Sequence, residues 1–353
     1  MLLTIPLFSQ EFSSDEAEFN GEVLTLRGHV FLESDEGTIT SATAHLFRVE
    51  EALEKAAFSG EVQIHSHRGF DLYCPTATFE NSKDSPLFTA SSLSEGKECH
   101  LTHNSDWVDA RHVTIDFASS LLTLDAPEGI LSSLFFPEKP DRTCHFSAIK
   151  MLWNHDENLL TLEGDFSLFD QTWGHLLGED RLQLKQKKRF GRMTFERIEA
   201  HGKTVLKLFG GETLTSYGTL TLDGEALLIT CLNPKGKQLI YENPLFEIHA
   251  NQGTITHGFQ GMELRPQTIL LQGDVYLFSK EAQSPFEKGR ADKLLYAIEK
   301  EEIQLSAATG HLVQFWDSEK QLYLQSKEVL IQGETIKGIG AVSISLNTEE
   351  DMP

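Results

Sequence analysis

Leu24-Thr25-Leu26-Arg27-Gly28-His29-Val30-Phe31-Leu32 decides the reading of this chain. Leu24, Leu26, Val30 and Leu32 share the parity of Gly28, so a period of two puts them on one face of a strand. Glycine interrupts that face where a strand must bend or let another backbone come close. The phrase returns as Leu160-Thr161-Leu162-Glu163-Gly164-Asp165-Phe166-Ser167-Leu168 and as Ile269-Leu270-Leu271-Gln272-Gly273-Asp274-Val275-Tyr276-Leu277. Weaker copies lie at Phe58-Ser59-Gly60-Glu61-Val62-Gln63-Ile64 and at 336–346. One at Gly310-His311-Leu312-Val313 slips by a residue, as a bulge would. A chain that repeats itself this way is a β array, and repeats outrank local propensity in assigning the fold.

Between the glycine phrases lie second strands with a small residue near the middle. Gly37-Thr38-Ile39-Thr40-Ser41-Ala42-Thr43-Ala44-His45-Leu46 is one and Gly69–Phe79 another. Strand, turn and strand thus follow at intervals of about ten residues, the spacing of a sandwich, barrel or solenoid. Asn20-Gly21 and Asp156-Glu157-Asn158 mark turns. Helical composition is confined to Glu50–Ala57 and Ala291–Glu302, and the repeat predicts strands across the latter. The expected fold is all-β: an open, solenoid-like stack of short antiparallel strands. Two prolines and four charges in Phe136–Arg142 place a break near 137–144, which divides the array into blocks 11–140 and 144–348.

The bulk numbers exclude several functions. With 353 residues and 40% hydrophobic content the chain can bury a large core. A net charge of −23 repels phosphates and argues against a general nucleic-acid binder. No apolar run reaches the roughly 20 residues of a membrane-spanning helix. Met1–Phe8 is apolar and lacks Lys or Arg; it reads as a first strand or as the tail of an export signal that starts upstream. Cys74, Cys99, Cys144 and Cys231 form no CxxC pair and read as buried free thiols.

No catalytic signature is present: no HExxH, P-loop, GxSxG or calcium loop, and no fingerprint for a cofactor. His65 with His67, and Cys99, His100 and His103 with Asp106, bring potential metal ligands together. Fourteen histidines on a polar-faced β protein produce such neighbours by chance, so no metal site is assigned. One charge feature stands against the acidic background. Lys185, Lys187, Lys188, Arg189 and Arg192 lie within eight positions and point to contact with an anionic head group or membrane surface.

The run from Asp15 to Leu46, with its glycine phrase followed by Ile39-Thr40-Ser41-Ala42-Thr43-Ala44, resembles the OstA-like repeat of lipopolysaccharide-transport proteins (the LptA, LptC and N-terminal LptD type). The copies at Gly164, Gly273 and Gly340 look similar, whereas 81–140 and 185–265 match poorly. The resemblance implies an open β-jellyroll whose inward faces form an apolar groove for acyl chains. It implies a non-enzymatic periplasmic carrier or bridge, free or membrane-associated, for lipopolysaccharide or a similar glycolipid. Partners would be other jellyroll proteins of the transport complex, or a second copy, met through edge strands. The residues so assigned to lipid are Leu24, Leu26, Val30, Leu32, Val62, Ile64, Leu160, Leu162, Phe166, Leu168, Leu271, Val275 and Leu277. Two other readings stand beside it. A structural β-solenoid or assembly scaffold would have the same repeats and a filled core. A carbohydrate-active β-helix enzyme would gather Asp, Arg or Lys on one outer face, and the repeat phrases show no such cluster.

Overall fold

The computed structural model describes residues 11–346 apart from 50–51, 82–85, 93–97, 133–141, 190–191, 281–285, 319–320 and 334. Among the described residues are thirty-four strands and one 3₁₀ turn, Ile298–Lys300. By packing, the chain divides into two compact units, Met1–Phe166 and Ser167–Pro353.

The first unit is built on four long antiparallel strands, Val23–Ser34, Gly37–Val49, Ala52–Ser66 and Phe70–Asn81. The last of them forks. Its Phe70–Tyr73 half pairs with Cys99–His103, and its Thr76–Asn81 half pairs with Pro86–Ser91. Two layers run on from the fork. One carries Pro86–Ser91, His112–Asp116, Leu121–Asp125, Lys150–Asn154 and Leu159–Glu163. The other carries Cys99–His103, Asp106–Ala110, Glu128–Ser132 and Thr143–Ser147. The chain crosses between layers every two strands, as a folded-over sheet requires. Alternating positions such as Val113, Ile115, Leu122 and Leu124 are buried, with polar Thr and His between them facing out.

The second unit repeats this plan. One layer holds Gly174–Gly178, Thr204–Leu208, Thr213–Ser216, Leu239–Glu242 and Phe246–Ala250. The other holds Arg181–Arg189, Arg192–His201, Thr219–Asp223, Leu228–Leu232 and Gln252–Gln260. Both layers meet on Glu263–Ser279, the longest strand at 17 residues. Its partner Lys288–Ala297 forks again toward Val313–Asp317 and Glu302–Ser306. The expected open, antiparallel all-β stack is what the chain forms. The long strands are the departure from "short" strands, and they are where the two layers join.

The phrase glycines explain how a strand joins two layers. The register shifts between Arg27 and Val30, between Ser59 and Val62, and between Gln272 and Val275 each contain the glycine and the residue after it. Both residues of each pair are left-handed: Gly28 at φ +72° with His29 at 42°, Gly60 at +79° with Glu61 at 51°. A bulge there bends the strand and keeps parity, so Leu26 and Val30 both stay buried. Close approach adds to this, since a Cβ on Gly60 would lie 2.7 Å from the Cβ of Ala42. Ala42, the small residue of the intervening phrase, is therefore the seat of Gly60.

Residues 133–141, most of the segment expected to separate two blocks, lie outside the described residues. The strands on either side of it, Glu128–Ser132 and Thr143–Ser147, pair with each other. That segment is a connection within the first unit, and the division between units falls at Phe166/Ser167. Helix-forming Ala291–Glu302 lies on strand Lys288–Ala297 and the 3₁₀ turn, because cross-strand partners outweigh its propensity. All four cysteines are buried and unbridged. Met1–Phe8 and the acidic Glu349–Asp351 lie outside the described residues.

Candidate functional site

The first unit opens into an apolar cleft between its layers, beside the long strands. Five phenylalanines, Phe58, Phe70, Phe79, Phe88 and Phe117, line it together with Leu32, Ile39, Ile64 and Ile115. Strand alternation places them there: Phe58 and Ile64 share a parity on one strand, Phe70 and Phe79 come from the next, and Phe88 and Ile115 come from the layer beyond the fork. About 40 Å³ of its interior can be occupied by solvent-sized atoms, room for about three water molecules. As it stands the cleft has room for no more than a few carbon atoms.

Ser34, Glu36 and Ser66 give the mouth of the cleft a polar rim. Arg68 closes it. Its Nη1 donates to Ser120 Oγ at 2.7 Å and its Nη2 to the Phe117 carbonyl at 3.3 Å. Its Nε donates to Glu36 Oε2 at 3.3 Å, and the guanidinium lies 6.0 Å from the centre of the Phe117 ring. One side chain thus ties three turns around the opening. Sequence reasoning passed over Arg68, because an arginine in a turn carries no signal until its partners are known.

The residues assigned to lipid fall into distinct places. Leu26, Val30, Leu32, Val62, Ile64, Leu160 and Leu162 are buried in the first unit, Leu24 is half-buried, and Phe166 is buried at the unit's end. Of these, Leu32 and Ile64 border the cleft. Leu168, Leu271, Val275 and Leu277 are buried in the second unit. Aromatic edges fill parts of that interior: Phe246 meets Tyr296 at 5.2 Å and Phe286 meets Phe315 at 5.3 Å between ring centres.

The basic residues sit on a hairpin formed by Arg181–Arg189 and Arg192–His201. Lys185 is exposed, and Lys187 pairs with Glu225 at 2.5 Å. The backbone of Lys188, Arg189 and Arg192 continues the hairpin; their side chains lie outside the described residues. The histidines weighed as metal ligands have other partners. His65 bonds Asp71, His67 bonds the Asp35 carbonyl at 2.9 Å, and His100 bonds Asp109 at 2.6 Å. Burial lowers the pKa of His103, against the pull of Asp106. Among the described residues no group of three or more His, Cys, Asp or Glu is placed to hold a metal ion. None of the described helices is long and apolar enough to cross a membrane.

No family model matches the chain. No curated protein matches it either. Among solved structures it is similar to LptH of Pseudomonas aeruginosa, described as the LptA-homologous periplasmic component of the lipopolysaccharide transport device. The identity is 12%, the likeness covers 41% of this chain and 76% of that one, and the TM-score is 0.18.

Proposed function

We propose that this protein is a non-enzymatic carrier or bridge for lipopolysaccharide or a similar glycolipid, working in the periplasm. The phenylalanine-lined cleft between two antiparallel layers is the observation that carries the reading. An acyl chain crossing water needs apolar cover, worth roughly 25 cal/mol per Å² removed from solvent. A folded-over sheet supplies that cover along its inward faces without any catalytic group. The basic hairpin offers cations to the anionic head group or to the membrane surface that delivers it. End strands with an unpaired side offer a route to jellyroll partners or to a second copy.

The small room in the cleft favours a second reading, a scaffold with a filled interior. Cross-linking separates the two. A photoreactive residue replacing Phe88 or Val275 is expected to capture glycolipid in a lipopolysaccharide-making host, and one replacing outward Phe31 or Tyr276 is not. Capture only from the outward positions, or from none, would leave the scaffold. Native mass spectrometry of the purified protein gives an independent measure of bound glycolipid.

A further inference from the structure

The layer that bears the basic hairpin carries a second hairpin on the same rim. Arg197 pairs with Asp223, Asp223 with Leu228, and Leu228 with Thr256, so one row crosses four neighbouring strands. Two arms run past that row in the same direction. One continues as four residue pairs, from Gln186 and Phe195 to Arg189 and Arg192. The other also continues as four pairs, from His257 and Pro266 to Gln260 and Glu263. A register shift marks the base of each, at Lys185/Gln186 and at Thr256/His257. Only the short turn 224–227 lies between them. Strand spacing sets the arms about 14 Å apart, and each reaches about 13 Å beyond the row.

The second arm is held down one pair short of its tip, opposite Phe259, and is apolar at the tip itself. Leu264 is 1% exposed, and its N–H donates to the Thr172 carbonyl at 2.8 Å. At the tip Phe259 and Met262 are 43% and 38% exposed, on either side of a left-handed Gly261 at φ +66°. The first arm carries Lys187, Lys188, Arg189 and Arg192, with Lys185 on the row at its base, in a chain of net charge −23. Three acids on this rim are engaged locally. Glu225 holds Lys187, Glu263 holds Arg265 at 2.5 Å, and Asp223 accepts from the N–H groups of Glu225 and Ala226.

We propose that the two arms form one docking surface for an anionic lipid bilayer. The basic arm draws the rim to the negative surface, where each cation near the lipid contributes favourably. The apolar arm then sets Phe259 and Met262 among the head groups, as amphipathic side chains do at an interface. The acidic remainder of the chain is repelled, so only this rim approaches. This rests on the head-group contact proposed above and not on any lipid in the interior.

Sedimentation with vesicles of phosphatidylcholine, with and without phosphatidylglycerol, tests it at low salt. The protein is expected to pellet with the anionic vesicles and to stay in solution with the neutral ones. Phe259→Ser with Met262→Ser lowers partition about tenfold, and Lys188→Glu with Arg189→Glu lowers it at least as much. An unchanged urea midpoint in the tip variant shows that the fold is kept. A Phe259→Trp variant adds an emission band that shifts to the blue on anionic vesicles. Equal binding to both vesicle types, binding to neither, or a tip variant that binds like the parent overturns the proposal and leaves these arms as solvated hairpins or protein contacts. The vesicles contain no glycolipid, so failure of the carrier reading by cross-linking would leave this result intact.

Discussion

His257 shows what a single buried group does to stability. It lies 5% exposed at the base of the apolar arm, and neither ring nitrogen has a well-formed hydrogen bond. Burial pushes its pKa down to about 4, although the backbone at Ile255 and Leu227 favours the charged form. The unfolded chain therefore binds a proton near pH 6.5, before the folded one does. This site's contribution is fully present above pH 6.5 and is lost as pH falls toward 4, at a cost of about 3 kcal/mol. Urea unfolding of the parent should lose more stability between pH 7 and pH 4.5 than that of His257→Gln. Equal losses would show that the ring is already charged when folded. Arg68 makes a different residue-scale prediction. Removing it frees three turns at the mouth of the cleft, so Arg68→Ala should raise uptake of a fluorescent fatty acid. Its cost in stability should be about 1–2 kcal/mol, from the loss of part-buried charged hydrogen bonds.

At the scale of the strand, the glycine phrase is a joint. Gly60 combines a left-handed backbone with a neighbour, Ala42, that leaves no room for a Cβ. Gly60→Val should therefore cost about 2–4 kcal/mol, combining backbone strain and overpacking. Gly21 is also left-handed, at φ +99°, but nothing lies within 4 Å of its Cβ position. Gly21→Ala should cost only about 1 kcal/mol. Comparable urea midpoints for the two variants would mean that the joint is not closely packed. Trimming the seat with Ala42→Gly should recover part of the loss in Gly60→Ala, because the clash is between those two side chains.

For the whole molecule the question is how the sheet ends. Among the described residues, Thr335–Ile339 pairs only with Glu328–Gln332, and Ser343–Leu346 only with Leu322–Ser326. Val342 and Ile344 are 45% and 59% exposed beside these edges. Unpaired edges recruit strands, and exposed apolar side chains strengthen the recruitment. Deletion of 341–353 is expected to weaken self-association in sedimentation velocity while the circular dichroism of the rest is retained. Undiminished association would move the contact to the first strands, around Glu22–Leu32.

The sequence by itself determined the strand faces. Parity around Gly28, Gly164 and Gly273 identified Leu26, Val30, Leu162, Phe166, Val275 and Leu277 as inward, because alternation is a local property of a pleated chain. The overriding of helical composition at Ala291–Ala297 was legible for the same reason. The meaning of the glycine was legible only in part: a bend was expected, while the two-residue bulge that preserves parity needed the register. The division at Phe166/Ser167 left no mark, since no proline or polar run accompanies it and compactness depends on contacts between distant segments. Arg68 and the second arm were also silent. Arg68 matters through Glu36, Phe117 and Ser120, far from it in sequence, and Phe259 and Met262 matter because the register of four strands sets them on the rim of the basic hairpin. Only the tertiary structure decides such neighbours, because long-range register follows from the sum of many pairings rather than from any one stretch of chain.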